Sequence, residues 1–177
     1  MNQERMIHLY GPLGQRQLRE VLGTQLAGLM LYPETIWLVS PYVSDFPVLD
    51  NRAGHWDALD PSWGNRELGF NELLARVVNG GCPLCFVTKR GEPSSEKFLN
   101  NLRGRLLPGA DLKVLLLDDV HTKVLLTHYF MLEGSMNFTF SGTHVKKENV
   151  TLTLNRNKIA GLLALFEQDY CFEGQVG

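Results

Sequence analysis

Cysteine is scarce in this chain. Its 177 residues include three, Cys82, Cys85 and Cys171. That rules out a disulfide framework of the kind that staples small secreted folds. Long apolar runs are missing too. No stretch approaches the ~18 consecutive apolar residues of a membrane span. Met1-Asn2-Gln3-Glu4-Arg5 leads into no apolar segment of the signal-peptide type. A cytoplasmic protein with no membrane attachment is expected. An excess of basic charge is also lacking: 17 Lys and Arg face 19 Asp and Glu, for a formal net charge of -2. A free-standing, nonspecific DNA binder is usually basic overall. Any nucleic acid must therefore be gripped by a local strip of cations or brought by a partner protein. Internal repeats and low-complexity tracts are absent as well.

What is present is an ordinary globular composition, 44% hydrophobic and 20% charged. The length suits one domain over residues 1–177, able to bury a core without a metal or disulfide staple. Cys82-Pro83-Leu84-Cys85 has C-x-x-C spacing, but it runs into an apolar strand instead of opening a helix, and no second pair supplies zinc ligands. Buried strand cysteines are the expectation.

Hydrophobic periodicity sets out the elements. Helices are expected over residues 15–31, 67–79 (closed by Gly80-Gly81), 94–105 and about 159–170. Strands are expected over 35–40, 84–88, 112–117, 123–127, 129–133 and 150–154, with a tight hairpin between 127 and 129. Strands that are apolar throughout, alternating with helices, indicate an α/β layered domain with a mixed β-sheet flanked by helices. Residues 42–66 form a long Asp-, Pro-, Gly- and Asn-rich segment, a length that usually marks function or short helices. Its Trp56, Trp63 and Arg52 suit base stacking and phosphate clamping, or packing in a small core. Packing is the favoured expectation.

The chemistry concentrates in the last third. His121 and Lys123, one residue apart on an expected strand, point to one face. They offer a nucleophilic nitrogen and a fixed positive charge. Gly134-Ser135-Met136-Asn137-Phe138-Thr139 adds hydroxyl, amide and backbone N–H donors. Glu148 follows at the mouth of the next strand. Together these form a kit for holding a phosphate and attacking it. Lys89-Arg90, after a strand, and Lys146-Lys147, beside Glu148, are cations suited to the rim of such a site.

In this arrangement the chain resembles the phospholipase D superfamily, whose hallmark is His-x-Lys-x4-Asp, then Gly-Ser/Gly-x-Asn, then a Glu. His121 and Lys123, then Gly134, Ser135 and Asn137, then Glu148 match it. Ser40-Pro41-Tyr42 and the element order extend the resemblance over residues 35–154. His128 stands at the motif's Asp position. The segments Ser-Pro-Tyr-Val-Ser-Asp, at 40–45, and Leu-Asp-Asn-Arg-Ala-Gly, at 49–54, look like the phospholipase-D-like component of bacterial DNA-modification and defence clusters that install 7-deazaguanine bases.

The resemblance implies a phospholipase-D-like fold and a phosphodiesterase, foremost a nuclease. His121 would form a phosphohistidine. Lys123, Asn137 and Ser135 would hold the phosphate oxygens, and Glu148 would bond the other ring nitrogen of His121. No metal or other cofactor is required. A single H-x-K implies a homodimer, with both His121 side chains meeting at a two-fold axis. DNA is the expected nucleic acid, along with partner proteins of a defence or modification system. Two rival expectations remain. One is a degenerate module that grips nucleic acid or a partner without cleaving. The other is a lipid phosphodiesterase, for which no membrane-seeking amphipathic segment is found.

Overall fold

The computed structural model describes residues 3–172. A seven-stranded mixed sheet has the order β1-β9-β8-β7-β2-β5-β6. Its centre is β2 (Ile36–Val39), with every residue buried. β2 runs parallel to β5 (Leu84–Lys89), which runs parallel to β6 (Leu112–Leu117). On its other side β2 pairs antiparallel with β7 (Val124–Leu126). The antiparallel series continues through β8 (Met131–Gly134), β9 (Glu148–Thr153) and β1 (Glu4–Leu9).

Two cores follow from the alternation of side chains along these strands. Ile36, Leu38, Leu84, Phe86, Leu125 and Leu132 face α1 (Pro12–Leu31), α2 (Phe70–Asn79) and α3 (Pro93–Arg105). Trp37, Val39, Cys85, Val87, Val124 and Met131 face α5 (Arg156–Asp169) through Ile159, Leu163 and Phe166. Strands covered on both faces must be apolar throughout, as β2 is. Asn155 starts α5 by accepting bonds from the backbone N–H groups of Asn157 and Lys158. No described helix is long and apolar enough to cross a membrane.

The mixed α/β architecture expected from the sequence is present, with several differences in detail. β1 is not foreshadowed by any apolar run. Met6 and His8 are exposed while Ile7 and Leu9 are buried, so only half the strand carries a hydrophobic signal. Glu67–Gly69 forms β4 instead of a first helical turn, pairing antiparallel with β3 (Pro47–Asp50), and α2 starts only at Phe70. A short α4 (Phe140–His144) lies between β8 and β9. Cys82 and Cys85 are buried as expected, in separate cores on opposite faces of the sheet. Burial pushes the Cys85 thiol up to about 11, which suits packing and not nucleophilic chemistry.

The long segment proves to be a hairpin with a built tip. Asn51, fully buried, organises it. Its side-chain amide donates to Asp57 Oδ1 and to the Gly64 carbonyl, both at 2.8 Å. Its Oδ1 accepts the Trp56 N–H at 2.8 Å. Trp63 is buried in the core behind α1–α3, whereas Trp56 is half-buried against it. Packing thus accounts for Trp63. Arg76 ties the tip to α2 through Asp60 at 2.7 Å. The Ser62 hydroxyl and Arg76 hold the Asp60 carboxyl below its ordinary value.

Asn51→Ala should strand the Trp56 N–H and release Asp57. A loss of about 2–3 kcal/mol is expected from several broken buried bonds. Urea unfolding followed by tryptophan emission checks this. An unchanged midpoint would show that the tip does not depend on Asn51.

Candidate active site

The strand order brings the sequence-selected residues to one edge of the sheet. β2 ends at Val39, whose antiparallel partner is Val124 at the start of β7. Val124 lies beside Glu133 near the end of β8, and Gly134 beside Val150 near the start of β9. Ser40, Lys123, Ser135 and Glu148 therefore all sit just outside the same edge. Leu9 of β1, paired with Glu148, completes it.

Alternation also selects a side for Glu148. It shares parity with Val150 and Leu152, whose side chains face α1–α3, as Ser40 does with Ile36 and Leu38.

The local bonds are specific. His121 and Lys123 lie in the segment entering β7, not within the strand as expected, because β7 starts at Val124. The Lys123 ammonium donates to the His121 carbonyl at 2.8 Å. His121 Nε2 lies 2.8 Å from Asp119, with both side chains well exposed. The Ser135 hydroxyl donates to the Glu148 carboxylate and accepts the Asn149 N–H at 3.1 Å. Asn137 Oδ1 is 3.5 Å from Ser40 Oγ, which also donates to the Tyr42 carbonyl at 2.9 Å. The expected Glu148–His121 bond is not formed. The strand β8 stands between β9 and β7, so the two residues start about two strand spacings, roughly 10 Å, apart. Glu148 takes the nearer Ser135 hydroxyl, and Asp119 serves His121.

The remaining candidates divide. Lys146 and Lys147 are exposed, between α4 and Glu148. Lys89 ends β5, one strand beyond β2, and Arg90 follows it. Arg90 is engaged by Asp118 at 3.0 Å and by the Leu116 carbonyl at 2.7 Å. His128 is remote from the others. It lies in the turn after β7, at the opposite end of that strand, 3.3 Å from Glu34. The turn is held by Thr127, whose hydroxyl accepts the N–H groups of Tyr129 and Phe130. Among the described residues, no three His, Cys, Asp or Glu side chains gather in a metal-holding cluster.

Sequence reasoning missed Asp119, Ser40 as a partner of Asn137, and His8. The His8 ring nitrogen Nδ1 lies 2.7 Å from Asn149 Oδ1, although 141 residues separate the two. Only the pairing of β1 with β9 brings them together, and no local pattern signals it. Asp119 stood two positions before His121, but His-x-Lys carries no rule for that place.

Between β8 and β9, close approach requires a glycine. A Cβ on Gly134 would lie 2.0 Å from the Asn149 carbonyl oxygen. Gly134→Ala should therefore separate β8 from β9, at a loss of roughly 3 kcal/mol for an overpacked contact, and weaken sulfate binding at the edge. Gly161→Ala, on an exposed face of α5 with nothing within 4 Å, should instead gain slightly from helix propensity. Equal urea midpoints for the two variants would contradict the close packing.

No family model matches the chain, and no curated protein matches it in sequence. Solved structures do match. NucT from Helicobacter pylori is 13% identical with a TM-score of 0.58, over 93% of each chain. Nuc from Salmonella typhimurium, described as a phospholipase D family member, is 14% identical with a TM-score of 0.57, over 93% of this chain and 91% of its own. Polyphosphate kinase from Porphyromonas gingivalis is 13% identical with a TM-score of 0.60, over 93% of this chain but 25% of the kinase. The chain has the fold of these proteins, a seven-stranded mixed sheet flanked by helices.

Proposed function

We propose that this chain is a phosphodiesterase of the phospholipase D type that cleaves nucleic acid through a phosphohistidine. One observation carries the reading: His121, Lys123, Asn137 and Glu148, carried by different strands and their connections, come to one edge of the sheet. Likeness of fold to Nuc and NucT supports it.

The chemistry follows from the residue types. With one imidazole nitrogen of His121 held by a carboxylate, the other carries the lone pair that attacks phosphorus. Asp119 takes the supporting role expected of Glu148. Its exposed pairing with His121 is weak and exchanges readily. Lys123, Asn137 and the Ser135 hydroxyl hold the non-bridging oxygens as charge shifts onto them. Glu148 fixes that hydroxyl. The P–O bond to the leaving group breaks, and the departing oxygen takes a proton from a second imidazolium. Water, deprotonated by the same imidazole, then attacks phosphorus. The P–N bond breaks and His121 is restored. The second imidazole is His121 of another copy, so the working unit is a homodimer with a shared site. Lys supplies the cation, so the reaction proceeds without metal.

DNA is the proposed substrate. Lys146 and Lys147, beside Glu148, guide its backbone at low salt. The net charge of -2 leaves delivery to partner proteins of a cytoplasmic defence or DNA-modification system. A second reading has an observation in its favour. Glu148 and His121 are engaged separately, by Ser135 and Asp119. A degenerate module would grip the backbone without cutting it.

Hydrolysis of a generic phosphodiester should persist in excess EDTA. It should vanish in His121→Ala while the unfolding midpoint stays unchanged. Activity lost with chelator and restored by Mg²⁺ would refute the mechanism. Binding of DNA without any cleavage would establish the second reading in its place.

The assembly has its own test. Light scattering should give about twice 20.0 kDa. Mixing inactive His121→Ala with wild type should produce heterodimers of low activity. A fully active monomer would exclude the shared site.

A further inference from the structure

A groove of about 640 Å³ runs between α1 and the β3–β4 hairpin. It is separate from the residues assigned to the reaction, although His144 of α4 closes one end. From His144 the chain passes directly to Lys146, Lys147 and Glu148. The Gln15 side chain of α1 donates to the His144 carbonyl at 2.8 Å, fixing that end. α4 and the residues after it thus lead from the groove to Glu148.

The walls have a defined chemistry. Arg16 and Arg19 come from α1, and Arg52 and Trp56 from the hairpin tip. Val48 and Leu49 contribute an apolar floor. The Trp56 backbone N–H is anchored to Asn51, which sets the residue beside the groove. Arg16 pairs with Glu20 on its own helix, the side chains being 74% and 62% exposed. Arg52 pairs with Asp50 two residues away, again with both side chains substantially exposed. These carboxylates keep the groove close to neutral. Arg52 is held by both Asp50 oxygens, at 2.9 and 2.6 Å. The single, exposed Arg16–Glu20 contact is weak, and the Arg16 guanidinium exchanges such a partner readily for a phosphate, whose geometry suits its fork.

A ligand that fits has a flat ring for Trp56 and an anionic group for Arg16. The volume falls within the usual range for small-ligand sites. A base stacked inside a duplex cannot present its face to Trp56, but an unpaired one can. We infer that this groove is a subsite for an unpaired nucleotide of a single-stranded nucleic acid whose phosphodiester lies at the sheet edge. The inference rests on the proposed function for its polymer substrate, and it makes single strands the preferred class.

The test uses the full chain with a short labelled single strand, a duplex of the same sequence and a nucleoside monophosphate, at low salt. The single strand should bind more tightly than the duplex and quench tryptophan emission. Trp56→Ala should weaken single-strand binding about tenfold, from one lost stacking contact, with Trp56→Phe restoring most of it. Arg16→Glu, fully at the surface and harmless to folding, should weaken it severalfold. Unchanged strand affinity in both Trp56→Ala and Arg16→Glu would overturn the subsite, whether or not the wild type cleaves. Equal affinity for the nucleoside monophosphate and the strand would overturn the assignment to a polymer. Groove-dependent strand binding by a wild type that hydrolyses no phosphodiester would leave the subsite standing and remove the proposed activity instead.

Discussion

The antiparallel pairing of β7 with β2 is the constraint on which the site depends. In an all-parallel sheet every strand would start at one edge and finish at the other. Here β7 reverses beside β2, β8 reverses again, and β9 reverses once more. One edge therefore collects the end of β2, the entry to β7, the exit from β8 and the entry to β9. Residues that are chemically useful but far apart in sequence meet there without any long loop having to fold over them. The buried strand β2, apolar on both faces, sets the register for the whole assembly.

At that edge the polar groups are held locally. Ser135 and Glu148 restrain each other across the β8–β9 connection, and Asn137 is drawn toward Ser40 after β2. His121 and Lys123, in contrast, belong to an exposed stretch with only Asp119 and a backbone carbonyl as partners. Ser135, Asn137 and Glu148 are thus held by more cross-strand bonds than His121 and Lys123. α4 acts as a strut between Asn137 and Glu148. Thr139 caps it by accepting the Gly142 N–H, while Ser44 accepts the N–H of Phe140 and links the strut to the segment after β2.

Much of this was legible in the sequence, because the signals were dense where burial is complete. The apolar runs of β2, β5 and β6 and the helical spacing of α1 sit where periodicity placed them. His121, Lys123, Ser135, Asn137 and Glu148 stand out in the sequence by type, spacing and resemblance, and the strand order sets them toward one end of the sheet. What escaped had a physical reason. Glu67–Gly69 reads as the first turn of a helix because its neighbours Phe70, Leu73, Leu74 and Val77 have helical spacing. Only pairing with β3 makes it a strand. β1 hides because half of its residues face solvent. The Glu148–His121 bond was expected from a pattern that lists residue types and is silent about the strand between them. Asn51 looked like one more polar loop residue, since burial of an asparagine leaves no trace in composition.

The partnership of β1 with β9 carries a consequence for synthesis. Leu9 leaves the ribosome early, but its partner Glu148 emerges only after nearly the whole sheet has been made. Pairings so distant in sequence are slow to close, and an emerging chain folds from the segments already available. β2, β5 and β6, with the helices between them, are complete long before β9 is made. The nascent chain therefore holds a core while the sheet still lacks the strand that carries Glu148, and β9 then fills the place between β8 and β1.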